Sequence, residues 1–352
     1  HEQAYRAMTS VDPLLAPDFK TTPWWWEAAS PPSRDSVLPD HAGVAIVGGG
    51  YAGLSAALTL RRLGHDVTVL DAERIGWGAS SRNGGMVSGG LKVASGALGK
   101  TYGAERAQAI AQAAAASFPF IEETIAREGI DCDYLRCGRF VPAWTPKHYD
   151  ALAARAGFIA EVTGLPTHML PKDRQREALG SDHYHGGMIA EASGSLHPGK
   201  YARGLADAAD RAGVRLVDGV RVGAIQQDGT GFRLATDRGQ MRADAVLVAT
   251  NGYTRDGEGR SAMPWLARRM IPVGSYLIAT AGRGDGPLLP RPAHDQRHEA
   301  RAELLPALAL RQPHPVGRPR QLRPHRAGRR RAGAARLHAR RIPRIEGCPA
   351  DP

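Results

Sequence analysis

The chain has 352 residues, of which 42% are hydrophobic, and a formal net charge of +11. Residues 281–352 contain sixteen arginines, no lysine and six acidic residues, whereas residues 1–280 are nearly neutral, with 30 basic and 29 acidic residues. The composition therefore excludes a nucleic-acid-binding surface spread over the whole molecule, and the first 280 residues are sufficient for an ample core.

Residues 1–39 form a polar, proline-containing lead with three consecutive tryptophans, Trp24, Trp25 and Trp26. Leaving three large indole rings in water is costly, so we expect them to pack on the body of the protein rather than form a partner surface. The chain begins with His1 rather than methionine, which suggests a fragment or a processed end. No signal peptide is visible, so we expect a cytoplasmic protein.

A strand, a turn and a helix start follow one another from residue 44. Residues 44–47 are apolar and mostly β-branched, which predicts a buried parallel strand. The next glycines fit G-x-G-x-x-G, a pattern that allows a tight turn, close approach to a pyrophosphate and close helix packing. These glycines are Gly48, Gly50 and Gly53. The uncharged run 43–60 could imitate a membrane helix, but its glycines argue against one, and no membrane partner is expected.

A helix over 51–63, beginning at Tyr51 and Ala52, would direct its N-terminal N–H groups at the phosphates. A second strand, 66–70, ends at Asp71, where a ribose-binding carboxylate belongs, although Asp71 could merely cap a loop. Strand, turn, helix, strand and acid in this order predict a dinucleotide site. A glycine-rich turn in another α/β fold is the alternative.

The residues after Asp71 favour FAD over NAD. Residues 73–87 are polar and glycine-rich, where an NAD domain would normally proceed to its next helix. Such a segment can lay backbone N–H groups along an extended cofactor as far as a flavin ring. Its run Gly76-Trp77-Gly78-Ala79-Ser80-Ser81-Arg82-Asn83-Gly84-Gly85 resembles the FAD-dependent amine and amino-acid oxidase family that includes D-amino-acid oxidase, glycine oxidase and sarcosine oxidase. It is most similar to the gamma-glutamylputrescine oxidoreductase branch, and a surface loop held by local hydrogen bonds is the alternative.

The resemblance covers about residues 40 to 280 and implies an α/β fold: a FAD-binding Rossmann-like parallel sheet with an interleaved antiparallel-sheet substrate domain (α+β). The implied layout is an N-terminal extension (1–39), a FAD-binding domain (40–130 and 196–253), an incomplete substrate domain (131–195 and 254–285) and a tail (286–352). The predicted FAD-binding residues are Gly48, Gly50, Tyr51, Ala52, Gly53, Asp71, Ala79, Ser80, Arg82, Asn83, Gly84, Gly85, Val222, Thr250, Asn251 and Gly252.

Between the two parts of the predicted FAD-binding domain, an alanine-rich stretch over 104–129 has the spacing of one long helix. Short strand-like pieces at 134–136 and 138–143 precede a helix over about 146–162, and 184–195 reads as a strand pair. Cys132 and Cys137 have the spacing of neither a common zinc pair nor a common redox pair. We therefore expect reduced thiols and no metal site.

The remaining elements return to the predicted FAD-binding domain. A helix over 198–212, with Pro198 in its first turn, ends at Gly213 and leads into a strand over 214–217. A hairpin over 222–226 and 232–236 has Asp228-Gly229 as its turn, and 243–248 reads as a buried strand ending in a small-residue turn. A last strand is predicted over 274–280.

The tail departs from the family pattern, since no residue beyond about 285 could be matched to it. It lacks aromatic residues, carries eleven of the 25 prolines and has neither helical nor strand periodicity. A disordered basic arm that grips phosphate backbones is one interpretation. We favour the other, GC-rich coding DNA read in a shifted frame from about residues 280–288.

The resemblance implies oxidation of a C–N bond by hydride transfer to flavin N5, with hydrolysis of the imine. The implied partners are a small-molecule amine related to gamma-glutamylputrescine and either oxygen or another electron acceptor. Arg82 is a weak catalytic candidate as a positive charge near the flavin. His197 and Tyr253 lie near cofactor segments, but a packed histidine and a core tyrosine are the simpler interpretations. The alternatives are a family member acting on glycine, sarcosine or a D-amino acid, an inactive truncated flavoprotein, a flavoprotein with an RNA-binding tail, and an NAD dehydrogenase.

Overall fold

The computed structural model describes residues 19–34, 37–89 and 95–277. The chain divides into two compact units, His1–Ala309 and Leu310–Pro352, and the second lies wholly outside the described residues. The arginine-rich tail over 286–352, which contains the third cysteine, Cys348, also lies outside the described residues. The strands are β1 (His41–Val47), β2 (Val67–Leu70), β3 (Met86–Ser88), β4 (Arg139–Pro142), β5 (Thr167–Leu170), β6 (Gly187–Ala190), β7 (Ser193–Ser195), β8 (Arg215–Val217), β9 (Val222–Asp228), β10 (Gly231–Thr236) and β11 (Gly239–Val248).

The helices are α1 (Trp26–Ala29), α2 (Tyr51–Arg62), α3 (Ser95–Tyr102), α4 (Ala104–Ala115), α5 (Ser117–Glu128), α6 (Pro146–Thr163), α7 (Pro198–Arg211) and α8 (Pro264–Ala267). Short 3-10 turns occupy Ala79–Ser81, Lys172–Glu177 and Asn251–Tyr253. None of the helices in the described ranges combines the length and the apolar character that a membrane crossing requires.

A six-stranded sheet organises the described part of the chain, in the order β8-β2-β1-β11-β10-β9. The strands β8, β2, β1 and β11 run parallel, and β9, β10 and β11 form an antiparallel meander at one edge. All of β2 and the last four residues of β1 are buried. Strands of a parallel sheet covered on both faces are buried in this way, which explains their mainly apolar sequences. The predicted parallel sheet is confirmed.

Helices α2 and α7 cover one face of this sheet. Leu54 and Leu58 of α2 and Leu205 of α7 join Ile46 and Val69 in one buried cluster. Pro198 stands at the first position of α7, where its missing N–H costs little, and Gly213 after the helix has φ +82°. The predicted helices in these two places are confirmed within one or two residues.

The predicted hairpin is present as β9 and β10. Asp228 pairs with Gly231, so the two-residue loop consists of Gly229 and Thr230, one residue later than predicted. Gly229 has φ +62°, a conformation that glycine adopts without steric cost.

Two smaller sheets arise from the region between β2 and β8. β4, β6 and β5 form a three-stranded antiparallel sheet, and α6 packs on it through Leu152, which meets Ala143 and Met188. β3 and β7 form a two-stranded ladder. The predicted strand pair over 184–195 is wrong in its partners, because β6 pairs with β4 and β5 while β7 pairs with β3. At residues 191–192 the chain passes from the three-stranded sheet to the two-stranded ladder.

Two further predictions are corrected. The long helix over 104–129 is broken between α4 and α5, because Pro119 has no N–H to donate to the carbonyl of Ala115. The strand predicted over 274–280 is absent from its described part, 274–277, where Tyr276 is 86% exposed. No ladder partner for it lies among the described residues, and an isolated strand is not stable.

Candidate functional site

The glycine turn after β1 has the geometry that the motif predicts. Gly48 adopts φ +111°, and a Cβ there would lie 2.6 Å from the carbonyl O of Ala249. A Cβ at Gly53 would lie 1.9 Å from the carbonyl O of Gly48. Both positions therefore exclude a side chain, the first by conformation and crowding, the second by the close packing of α2 on the turn.

The N-terminus of α2 opens at this turn. Leu54 N–H is the first to bond back, to the Gly50 carbonyl, and Tyr51 N–H donates to Ser80 Oγ at 2.9 Å. Within the described part of the chain, no hydrogen bond uses the N–H groups of Ala52 and Gly53. No acidic side chain lies in the first turn. The N-terminus of α2 therefore presents N–H groups without hydrogen-bond acceptors and the positive end of the helix dipole. Both favour binding of an anion.

Asp71 follows β2 at the same edge of the sheet. Its Oδ2 accepts the N–H of Gly49 at 2.7 Å, and its Oδ1 accepts the N–H of Glu73 at 2.9 Å. Burial raises the pKa of this carboxyl, against the lowering effect of the two backbone bonds. Asp71 caps the loop at Glu73 and also contacts the glycine turn. The capping interpretation is confirmed, and the ribose contact stays a prediction.

The loop 77–85 lies over the helix end. Asn83 Oδ1 accepts the N–H of Gly85 at 2.8 Å, and Asn83 Nδ2 donates to the Ser80 carbonyl at 3.0 Å. Gly85 has φ +69°, and a Cβ there would lie 2.2 Å from the carbonyl O of Leu196. Gly84 has nothing within 4 Å of an added Cβ, so its face of the loop is open. Ala79 is exposed in the short 3-10 turn.

Arg82 is the charged residue of this loop. Its guanidinium lies 4.2 Å from the ring centre of Trp77 and 4.7 Å from that of Trp26, and its Nε donates to the Trp77 carbonyl at 3.0 Å. One terminal nitrogen, Nη2, is buried without a hydrogen-bond partner among the described residues. Burial lowers the pKa of Arg82. A half-buried cation with one unbonded N–H group can donate a charge-assisted hydrogen bond to a ligand acceptor.

The segment after β11 meets the glycine turn. Ala249 N–H donates to the Val47 carbonyl at 2.8 Å, which places Thr250, Asn251 and Gly252 at the carboxyl edge. Tyr253 is 51% exposed, with its ring edge-on to Trp77 at 6.2 Å. The simpler interpretation of Tyr253 as a core residue is wrong, because the 3-10 turn carries it out beyond the end of the sheet.

Val222 begins β9 and lies near Asp71 through the preceding loop. Asp71 N–H donates to the Val217 carbonyl at 3.0 Å, and Val220 N–H donates to the Asp71 carbonyl at 2.8 Å. Val222 packs partly buried against the cluster on the sheet face opposite α2. It therefore lies at the Asp71 end of the edge.

His197 caps a helix, and the two described cysteines form no disulfide. His197 is buried, and its Nδ1 accepts the N–H of Lys200 at 3.1 Å as the N-cap of α7, so the packed interpretation is confirmed. Cys132 is buried and Cys137 exposed, and both are free thiols. The residues described contain no cluster of three or more His, Cys, Asp or Glu side chains able to hold a metal.

Several residues of the site were missed by the sequence analysis. Trp25 and Trp26, expected only to pack on the body, donate their indole N–H groups to the loop at Asn83 and Ser81. Asp218 accepts the N–H of Ile75 at 2.6 Å and so anchors the start of the loop. Its place directly after a parallel strand is a signal that could have identified it.

These features together fit an extended, anionic nucleotide cofactor. The N-terminus of α2 supplies N–H donors that make no hydrogen bond, and Asp71 supplies an acceptor. Arg82 supplies a buried donor without a partner among the described residues. A separate cleft of about 300 Å³ lies between α5 and α7, lined by residues such as Gly129 and Arg203, and none of the predicted FAD-binding residues lines it.

Comparison with known proteins gives the same result. Gamma-glutamylputrescine oxidoreductase of Escherichia coli (strain K12) is 36% identical over 237 residues, which cover 67% of this chain and 54% of that protein. The probable oxidoreductase OrdL of Rhizobium meliloti (strain 1021) is 34% identical over 269 residues, 73% of this chain and 59% of that protein. This chain therefore spans a little more than half the length of these relatives.

The crystal structure of glycine oxidase from Geobacillus kaustophilus matches with a TM-score of 0.52 and 28% identity, over 61% of this chain and 56% of that one. The α/β fold class is thereby confirmed. The family model described as DAO, FAD dependent oxidoreductase, matches residues 43–334, a range that extends past residue 285 into the arginine-rich segment. The chain therefore belongs to the DAO family of FAD-dependent oxidoreductases, and FAD is the cofactor of that family.

Proposed function

We propose that this chain binds FAD along the carboxyl edge of its parallel sheet and oxidises the C–N bond of a small amine or amino acid. The observation that carries the proposal is the convergence on one edge of the open end of α2, the Asp71 carboxylate and the Arg82 guanidinium. Ligands of open α/β sheets bind at this edge.

The phosphate end of the site would be built from backbone. The N–H groups of Ala52 and Gly53 would donate to the pyrophosphate, and Gly50 allows the close approach. The helix dipole contributes about 0.3–1 kcal/mol to such an anion contact. Ser80 Oγ, which accepts the N–H of Tyr51, would adjoin the same phosphates.

The adenosine end would be held at Asp71. Each of its oxygens already accepts one backbone N–H and keeps a lone pair for a ribose hydroxyl. Val222 lies at this end and is proposed to contact the adenine. Thr250, Asn251 and Gly252 adjoin the glycine turn at the end of β11 and are proposed to lie beside the phosphates.

The reacting end would lie at the loop of Arg82. Bound FAD supplies the hydride acceptor for oxidation of the substrate C–N bond. Arg82 would supply a fixed positive charge at this end, and such a charge stabilises developing negative charge most where water is excluded. Both Trp77 and Trp26 lie within 4.7 Å of that guanidinium. No general base is required of the chain, since an amine can lose its proton to solvent.

For the substrate, we propose an amine related to gamma-glutamylputrescine. The relative that bears this name is 36% identical to this chain, whereas glycine oxidase of Geobacillus kaustophilus (strain HTA426) is 29% identical over 214 residues. The three-stranded sheet of β4, β6 and β5 is proposed to belong to the substrate domain.

Cofactor binding is tested by the visible absorption spectrum of the purified chain, before and after addition of FAD. Flavin bands that remain with the protein through gel filtration are the expected result. A colourless chain that cannot be reconstituted would contradict the proposal.

Substrate class is tested by anaerobic mixing of the FAD-loaded chain with gamma-glutamylputrescine, glycine, sarcosine and a D-amino acid. We expect gamma-glutamylputrescine to bleach the flavin fastest. Faster bleaching by glycine would replace the proposed substrate but keep the reaction class, and no bleaching by any amine would contradict both. Peroxide production on admission of air would then distinguish oxygen from another acceptor.

A further inference from the structure

The segment 24–26 reaches the loop 77–85 through two indole N–H groups. Trp25 Nε1 donates to the Asn83 carbonyl at 2.9 Å, and Trp26 Nε1 donates to Ser81 Oγ at 2.9 Å. The partners are 58 and 55 residues apart in the chain, so these bonds are tertiary contacts. Ser81 is fully buried, and loss of its donor would leave a buried oxygen without that partner.

The two bonds flank Arg82 in the sequence and in space. Trp26 also places its ring on one side of the guanidinium, at 4.7 Å, while Trp77 lies at 4.2 Å. A cation held by two indoles and by a bond from its Nε to a backbone carbonyl has little rotational freedom. The free nitrogen Nη2 is therefore held in one direction.

The tryptophan segment is itself anchored on α7. The Trp25 ring meets the His197 ring edge-on at 4.7 Å, and Arg203 of α7 donates to the Ser30 carbonyl at 2.7 Å. A Cβ at Gly199 would lie 2.8 Å from the Ala29 carbonyl, so the segment lies directly against the first turn of α7. A rigid helix thus supports the tryptophans, and the tryptophans support the loop.

We infer that Trp25 and Trp26 are positioning residues for FAD, which hold the loop 77–85 and Arg82 in the arrangement that receives the flavin part of the cofactor. This inference rests on the proposed function. It separates the site into an adenosine end at Asp71 and a flavin end at the loop 77–85 that depends on the tryptophans.

The test compares Trp25→Phe, Trp26→Phe and Trp26→Leu with the matched control Trp24→Phe in the full chain. Phenylalanine keeps an aromatic ring and removes the N–H donor, whereas leucine at Trp26 also removes the ring over Arg82. Trp24 makes ring contacts with Trp25 and His197, and within the described residues its indole N–H makes no hydrogen bond to the loop. Dissociation constants for FAD and for ADP are measured on each variant.

We expect FAD binding to weaken about threefold to tenfold in each phenylalanine variant at position 25 or 26, as for loss of one hydrogen bond. Trp26→Leu should weaken it further, and Trp24→Phe should leave it unchanged. ADP affinity should fall less than FAD affinity in the variants at positions 25 and 26, because ADP lacks the flavin part and shares only the phosphates beside Ser80.

Each other outcome overturns the inference in a distinguishable way. Unchanged FAD affinity in Trp25→Phe and Trp26→Phe would remove the positioning role while the proposed function stands. Equal weakening of FAD and ADP would indicate a general structural role. If the unsubstituted chain binds ADP but not FAD, the proposed function fails, and the inference fails with it.

Discussion

The glycine turn 48–53 and the loop 77–85 lie side by side at one edge of the sheet, but they are built differently. The turn is made of backbone, and Gly48 and Gly53 are required because a Cβ at either would collide with a carbonyl oxygen 1.9–2.6 Å away. The loop is held by side chains, including two indole N–H groups from a segment more than fifty residues earlier.

Because of this difference, the two regions should tolerate different kinds of substitution. A backbone-built site fails when a side chain is added, since the packing of strand and helix has no room to move. A side-chain-built site weakens stepwise as single donors are removed, because each hydrogen bond contributes modestly. Substitutions in the two regions should therefore differ in size and in kind.

The largest effect is expected for Gly53→Ala. The new Cβ would meet the Gly48 carbonyl O at 1.9 Å, and backbone must shift to relieve the contact. We expect a loss of about 3 kcal/mol in the free energy of unfolding, at the upper end for overpacking, together with loss of FAD binding. Urea denaturation and FAD titration measure the two quantities.

The matched control is Gly157→Ala, also a helical glycine, in α6. An added Cβ there has nothing within 4 Å, so the change should stabilise the chain by about 0.5–1 kcal/mol. If the two variants behave alike, the close packing of α2 on the turn is not what makes Gly53 necessary.

An intermediate effect is expected for Asp71→Asn, which removes the charge and keeps the shape. Both FAD and ADP should bind about tenfold more weakly, as for loss of a hydrogen bond to a charged group. This contrasts with the tryptophan variants, which should weaken FAD binding more than ADP binding. The exposed Asp150→Asn is the control, and equal ADP affinity in Asp71→Asn would exclude the ribose contact.

The pH dependence of Asp71 sharpens this test. Burial raises its pKa above the ordinary value of 3.8, so on acidification FAD affinity should fall at a higher pH than an exposed aspartate would cause. The contribution of Asp71 to the free energy of unfolding has the opposite pH dependence. This contribution is complete below pH 3.8 and is lost as the pH rises through the raised pKa. FAD titrations across this range should show the first trend in the unsubstituted chain and not in Asp71→Asn.

The smallest effect concerns His197, which supports Trp25. Burial lowers the pKa of His197 below the ordinary 6.5; Asp133 opposes that shift, and Lys200 and Arg203 add to it. Its stabilising contribution is therefore present above pH 6.5 and lost as pH falls through the lowered pKa, when Nδ1 no longer accepts the Lys200 N–H.

His197→Asn keeps a capping acceptor that does not titrate. We expect its free energy of unfolding to lack this acid loss of about 1 kcal/mol, the usual contribution of a helix N-cap. Urea unfolding at pH 8 and pH 5.5 measures the difference. A loss of equal size in both chains would show that another group is responsible.

The sequence predicted those parts of the site that are formed by residues close together in the chain. Gly48, Gly53 and Asp71 belong to one strand-turn-helix-strand unit, and the turn and sheet edge lie where the pattern indicated. It was less reliable for pairing, since β6 and β7 have strand-like sequences but take different partners. It also placed Tyr253 in the core, because periodicity does not show where a sheet ends.

The glycine turn, the acid after β2 and the hairpin of β9 and β10 were predictable without the fold, because each depends on the backbone preferences of neighbouring residues. The FAD family was likewise predictable, because the motifs that identify it are short runs of sequence. The bonds of Trp25 and Trp26 to the loop, and the position of Arg82 close to two indoles with one unbonded nitrogen, became visible only in the folded chain. Those contacts join residues separated by tens of positions, and their formation depends on the packing of the N-terminal segment on α7.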